Sequence, residues 1–325
     1  MRKILYIFLL ISLISKAQIA QKDGLILMGS TFEITLICDT KVEAKKNMSI
    51  AINEIKRIEQ LISSWNPNSQ TSLINKNAGI KSVKVDKELF YLIKRCQKIS
   101  KLSKGYFDIS YAAFDKLWKF NKRNEKQDLP DSLEIRRILQ LVDYTNIILN
   151  EKEQTVFLKE KGMKIGFGAV GKGYAAHKTK QLLVENGVKN GLVNASGDIT
   201  AWGNNIEQEK WKIAVSNPKD KNKNIAEFNL SNQAVVTSGN YEKYFFSNGK
   251  RYAHIINPKT GYPAEGVASV TVFGPNAEVC DALATAVYIM GAKKGIEFIN
   301  TIKDFDTLII DDENKVFSSS NLNLN

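Results

Sequence analysis

Apolar and polar positions change their period several times along this chain, and each change marks an element. Over residues 25–38 the apolar positions alternate loosely, with Phe32, Ile34 and Leu36 in register, which predicts one strand. Over 44–62 they fall at Met48, Ile52, Ile55, Ile58 and Leu61, the spacing of one helix face. The polar stretch 63–69, with Pro67 inside it, breaks that helix and predicts a loop. A second amphipathic helix is predicted over 87–103, and a turn over 105–110 leads into a short helix at 112–120 with Trp118 on its apolar side. Residues 121–130 are charged and polar and predict a surface insertion.

Beyond that point the pattern predicts a short helix at 133–141, a hairpin from 147–150 and 155–158, and a helix at 174–187. Residues 190–194 read as a buried strand that ends in the polar loop Ser196-Gly197-Asp198. Further strands are predicted at 211–215, 226–230, 234–237 and 269–273, and an apolar helix at 281–290 stopped by Gly291. Segments 308–310 and 316–317 would close a sheet, and the polar end 318–325 should be loose. Strands and helices mix without strict alternation, so the fold class is α+β, with mixed sheets and packed helices. There is no internal repeat and no flexible linker, so residues 18–317 are expected to form one large domain or two intimate lobes.

The first 17 residues read differently. Arg2 and Lys3 precede an apolar run over 4–14 that is too short to span a bilayer, and Ser15-Lys16-Ala17 is a small-residue cleavage site. This predicts a signal peptide cut after Ala17 and an exported, periplasmic protein; an uncleaved anchor is the alternative. No cysteine lies near the junction to carry a lipid. Cys38, Cys96 and Cys280 are far apart and odd in number, so they make no metal spacing and no full disulfide set. The formal charge is +12, and its positives are scattered, apart from Lys219, Lys221 and Lys223 in one solvated loop. There is no basic stripe with interleaved aromatics, so nucleic acid is not an expected partner.

The run from Gly166 to Lys172 carries glycines at 166, 168 and 171, with Gly173 next, and a helical pattern follows. Such a turn lets backbone N–H groups approach an anion, and Lys172 could add a point charge to a phosphate. It is neither a Walker A loop nor a complete dinucleotide fingerprint, because Gly173 follows the lysine and no acid stands near 190. A ligand-free strand-to-helix turn fits it equally. Asp281 and Thr285 are four residues apart on a helical pattern, so they share a face and offer oxygens to a hard cation such as magnesium. A helix-terminal acid beside a threonine bonded to the backbone is the plainer account. His254 precedes a Pro- and Gly-punctuated turn and could hold or move a proton, or could simply be a hydrogen-bonded structural residue. Trp65 and Phe107 are loop aromatics that could stack on a flat ring or pack in the core. The sequence lacks the motifs of nucleophilic hydrolases and zinc enzymes.

Eight short motifs, in order, make this chain resemble the ApbE family of flavin transferases, also called FAD:protein FMN transferases. They are Met28-Gly-Ser-Thr31, Ser64-Trp-Asn-Pro-Asn-Ser69 with Asn75, Gly105-Tyr-Phe-Asp-Ile-Ser110 and Phe167-Gly-Ala-Val-Gly-Lys-Gly-Tyr174. Then follow Leu192-Val-Asn-Ala-Ser-Gly-Asp198, Thr237-Ser-Gly-Asn-Tyr-Glu242, His254-Ile-Ile-Asn-Pro-Lys-Thr-Gly261 and Asp281-Ala-Leu-Ala-Thr285.

The resemblance implies a T-fold-like, two-lobed single unit. It implies FAD as donor, magnesium on its pyrophosphate, FMN transfer to a threonine hydroxyl of an acceptor protein, and release of AMP. Asp281, Thr285 and the main-chain carbonyl of Ala169 would hold the metal. Met28, Trp65, Phe107, Asp108, Ile109, Lys172 and Ile255 would line the FAD pocket, with Trp65 stacking, and His254 with Asp281 would carry the catalysis. The implied acceptors are exported redox subunits, such as those of Rnf-type complexes and sodium-pumping quinone reductases. Three positions depart from the family pattern: Gly166 and His177 stand where acids are usual, and Ser196-Gly197 where a Gly-Gly pair is usual. A magnesium-dependent FAD pyrophosphatase and a non-catalytic flavin-binding protein would use the same FAD site.

Overall fold

The computed structural model describes residues 18–120, 128–220, 222–241 and 243–322. The expected leader and most of the expected 121–130 insertion lie outside the described residues. The chain opens with strands β1 (Ile19–Leu27) and β2 (Ser30–Cys38), paired antiparallel in full register. The single strand expected over 25–38 is therefore a hairpin. Its turn is Met28-Gly29, with φ of 52° and 68°, the left-handed pair that matches the twist of the flanking strands. Helix α1 (Lys41–Ile62) follows, with the Thr40 side chain accepting from the Glu43 N–H and Ala44, Met48, Ala51, Ile55 and Ile58 turned inward.

Next come α2 (Gln70–Lys76), β3 (Val83–Lys84), α3 (Lys87–Leu102) and a 3₁₀ helix, Ile109–Lys116. The expected α-helix at 112–120 is this tighter 3₁₀ segment; it starts earlier and ends before the buried Trp118. Then follow α4 (Ser132–Leu139), the expected hairpin of β4 (Ile147–Asn150) and β5 (Thr155–Leu158), and α5 (Gly171–Glu185). Strands β6 (Asn190–Ala195) and β7 (Asp198–Trp202) turn on Ser196-Gly197, again with both φ positive, so Asp198 begins a strand and does not end in a loop.

The remaining elements are β8 (Trp211–Ser216), β9 (Asn224–Leu230), β10 (Ala234–Gly239), β11 (Tyr244–Ser247), β12 (Lys250–Ala253), β13 (Val267–Gly274), α6 (Ala277–Met290), α7 (Ala292–Ile299), β14 (Asp306–Asp311) and β15 (Val316–Ser318).

The order β1-β2-β6-β7-β10-β13-β14-β15 makes one eight-stranded antiparallel sheet. Helices α1, α5 and α6 pack on it. The β8–β9 hairpin adds a smaller cluster, in which Val215, Ala226 and Leu230 meet Val235, Phe273 and Leu308 of the sheet. Every residue of β13 is buried, and its sequence accordingly carries no charged residue. A second lobe, built from α3, the β3-β5-β4 sheet and the 3₁₀ helix, shares the main core through residues such as Phe90, Ile93, Val156 and Ile165. The chain is thus α+β, as expected. Its end is less loose than expected: Ser319 is buried, its N–H donates to the Thr307 carbonyl at 2.9 Å, and its hydroxyl donates to Asp306 at 2.7 Å. All three cysteines are buried and unpaired.

Candidate functional site

The glycine run lies between the two lobes. Gly166 cannot carry a side chain without moving the wall, because an added Cβ would stand 2.9 Å from Ala112 Cβ. At Gly168 the added carbon would meet the Tyr111 hydroxyl at 2.5 Å, and at Gly173 the Ala277 carbonyl oxygen at 2.3 Å. These glycines therefore serve close packing first. Helix α5 begins at Gly171, three residues before the expected start, so Lys172 and Gly173 occupy its first turn. No side chain of the N-cap residue, Val170, caps this end. The missing acceptor comes from α6: Asp281 Oδ2 accepts the Gly173 N–H at 3.0 Å. A carboxylate at a helix N-terminus is favoured by the helix dipole, so packing and charge agree on this placement.

Lys172 projects from the same turn and its Nζ donates to Asp198 Oδ2 at 2.7 Å. Asp198 is fully buried, and its second oxygen, Oδ1, has no hydrogen-bond partner. Burial, and then the neighbouring Asp281, push the Asp198 pKa well above its ordinary value, against the pull of Lys172. Two carboxylates and one ammonium thus share a small, poorly solvated space. In the sequence Asp198 reads only as the end of a polar loop, with no role in the site. The available signal was its position directly after a two-residue hairpin turn, which fixes the side chain at the start of a central strand.

Lys172 and Asp281 open onto a cavity of about 860 Å³, a size suited to a dinucleotide-scale ligand, and Asp198 lies behind Lys172. Met28, Trp65, Phe107, Asp108, Ala169, Lys172, His254, Ile255, Asp281 and Thr285 all line it. Ile109 does not; it is fully buried in the main core. Its neighbour Asp108 is committed to structure: Oδ1 accepts from the Ser110 N–H and hydroxyl at 2.8 and 2.7 Å, and Oδ2 accepts from the Tyr144 N–H at 2.8 Å. Asp108 therefore caps the 3₁₀ helix and offers the cavity little hydrogen-bonding capacity. Phe107 is only 1% exposed, so it acts as a floor and not as the free loop ring the sequence suggested. Trp65 is the opposite case, 80% exposed at the cavity edge. Met28 reaches the rim from the tip of the first hairpin, held in its left-handed turn.

His254 follows β12 and places its ring edge-on to Phe120, with centroids 6.5 Å apart. Its Nδ1 is buried and has no hydrogen-bond partner. Burial, then the positive charges of Lys243 and Lys172, hold its pKa down to about 4, so the imidazole is neutral at neutral pH. His177, on α5, is outside the cavity lining and is held down to about 4 in the same way. Tyr111 and Asp115, both on the 3₁₀ helix, also line the cavity and were not singled out by the sequence.

The donor set suits a hard cation. Asp281, the Thr285 hydroxyl and the Ala169 carbonyl present oxygen only, and the crowded Asp198–Asp281 pair is an arrangement that a divalent ion relieves. Among the described residues there is no cluster of three or more His, Cys, Asp or Glu side chains, so any such site rests on this mixed set.

Known proteins resemble this chain along most of its length. Residues 28–309 match the ApbE family. The FAD:protein FMN transferase of Klebsiella pneumoniae (strain 342) is 30% identical over 297 residues, which cover 91% of this chain and 90% of the relative. The crystal structure of the ApbE protein of Thermotoga maritima matches with a TM-score of 0.86 at 30% identity, covering 93% of this chain and 97% of that one. Flavin transferase ApbE from Vibrio cholerae matches with a TM-score of 0.82 at 22% identity over 93% of this chain and 98% of its own, a likeness of fold.

Proposed function

The chain belongs to the ApbE family, and on that premise we propose that it is an enzyme that transfers FMN from FAD to another protein. One observation carries the reading beyond the family. One cavity is lined both by Lys172 with the oxygen donors Asp281 and Thr285, a set that would suit a metal-bound pyrophosphate, and by the exposed ring of Trp65, which can cover a flavin or an adenine.

The proposed acceptor group is a threonine hydroxyl. Its oxygen forms a bond to the FMN phosphorus, the phosphoanhydride bond to the AMP phosphate breaks, and AMP departs. The attacking hydroxyl must lose its proton, and the neutral imidazole of His254, which lines the cavity, would take it. Lys172 steadies the phosphate charge, and Asp198 holds the Lys172 ammonium in position. Asp281, Thr285 and the Ala169 carbonyl would hold magnesium. When bound, the ion would neutralise charge on the pyrophosphate. We further propose export through the N-terminal leader and action on exported redox subunits of the Rnf or sodium-pumping quinone reductase kind.

The test is a reaction of the purified protein with FAD and magnesium, with and without an acceptor domain bearing a candidate threonine, followed by chromatography of the nucleotides. The reading expects AMP release that depends on the acceptor and is matched by protein-bound flavin. Equal AMP and FMN release without acceptor would instead make the protein an FAD pyrophosphatase. Intact FAD in both reactions would leave only binding.

A further inference from the structure

Asp115 is a carboxyl on the cavity wall that the mechanism above does not use. It enters no hydrogen bond or ion pair with a described residue, and its notable charge neighbour is Lys164. Loss of solvent raises its pKa to about 6, so it sits where a carboxylate is poorly hydrated and still unpaired. Its position follows from the 3₁₀ helix. Residues three apart on a 3₁₀ helix eclipse one another, so Asp115 lies on the same edge as Ala112, the residue packed against Gly166.

The location within the cavity follows from Tyr111. The Tyr111 hydroxyl meets the backbone at Gly168, and it is a charge neighbour both of Asp115 and of Asp281 and Lys172. Asp115 thus shares one cavity wall with Tyr111, Lys172 and Asp281. A carboxylate there would repel a phosphate, so its match is a neutral hydrogen-bond donor next to one. In FAD the groups adjoining the pyrophosphate are sugar hydroxyls on both sides: ribose in the AMP half and ribityl in the FMN half. A carboxylate has two acceptor oxygens suited to a vicinal diol.

We propose that Asp115 is a specificity-determining residue that accepts hydrogen bonds from vicinal hydroxyls flanking the pyrophosphate of FAD. This rests on the FAD reading of the cavity.

The test measures binding of FAD, FMN and ADP to the full-length protein in EDTA, by flavin fluorescence or calorimetry, for wild type, Asp115→Ala and Asp115→Asn. Asp115→Ala should weaken FAD about tenfold, with Asp115→Asn in between and melting temperatures unchanged. The loss should appear with one fragment only: FMN if the ribityl chain is the partner, ADP if the ribose is. Unchanged FAD affinity in Asp115→Ala would overturn the assignment. So would an equal loss with all three ligands, or slower transfer at unchanged affinity, which would make Asp115 a proton-handling group. A wild-type protein that binds no FAD would instead overturn the functional reading on which the assignment rests.

Discussion

Gly173→Ala tests whether the contact between α5 and α6 builds the site. An added methyl at 173 would lie 2.3 Å from the Ala277 carbonyl oxygen, 2.7 Å from Asp281 Cβ and 2.9 Å from the Ala277 carbonyl carbon. None of these is the free end of a flexible side chain, so relief requires the two helices to part. Overpacking of this kind costs up to ~3 kcal/mol. Replacing glycine by alanine inside a helix returns at most ~1 kcal/mol. The clash wins, with a net loss of about 2 kcal/mol and a fall in melting temperature of roughly 4–8 °C. Separation of the helices also breaks the Gly173–Asp281 hydrogen bond, so magnesium-dependent FMN transfer should fall further than stability does. Gly24→Ala is the control, since it sits in β1 with nothing within 4 Å of its added carbon. Differential scanning fluorimetry and a transfer assay on the three proteins decide the matter. A Gly173→Ala protein as stable and as active as wild type would refute the packing argument.

Asp281→Ala should abolish magnesium-dependent transfer while FAD is still bound; retained transfer, read by intact mass, would remove Asp281 from the metal set. Trp65→Ala should weaken FAD binding about tenfold yet leave stability within about 0.5 kcal/mol, because the ring is 80% exposed; an unchanged Kd would exclude stacking. His254 and His177 are both held down to about 4 by burial, against 6.5 in the unfolded chain. The unfolded state therefore binds protons first, and stability contributed by both neutral rings is lost as pH falls from 6.5 towards 4. In urea titrations at pH 7 and 4.5, His177→Asn should lose less stability than wild type over that interval; an equal loss would contradict the burial argument. His254→Ala should slow transfer more than it weakens FAD binding, whereas equal losses would recast His254 as a binding residue.

Long periodic stretches were legible because burial on one face writes itself into the sequence. α1, α3 and the β4–β5 hairpin show this directly. What escaped the reading was mostly turn chemistry. Met28-Gly29 hid inside an apparent strand because Met28 is an unusual residue for a left-handed turn position. Asn248-Gly249, between β11 and β12, is a strong hairpin signal that polar neighbours masked. In the site, the residues expected to hold FAD, metal or the proton lay at the cavity, apart from Ile109, which the core absorbs. Tyr111 and Asp115 were not legible as site residues. Their placement depends on which sheet edge and which 3₁₀ face meet across the lobes, and no local spacing encodes that. In sequence the glycine run fits a phosphate turn and a plain tight turn equally; in the fold its first duty is steric, since it brings α5 against α6 and so places Asp281.

The central claim is transfer of FMN to protein, and intact mass spectrometry reads it most directly. The protein would be incubated with FAD, magnesium and a purified exported redox domain carrying a candidate threonine. The account predicts an acceptor heavier by one FMN moiety, with the gain lost in EDTA and in Asp281→Ala. An acceptor of unchanged mass, while the same enzyme cleaves FAD to free FMN and AMP, would contradict it.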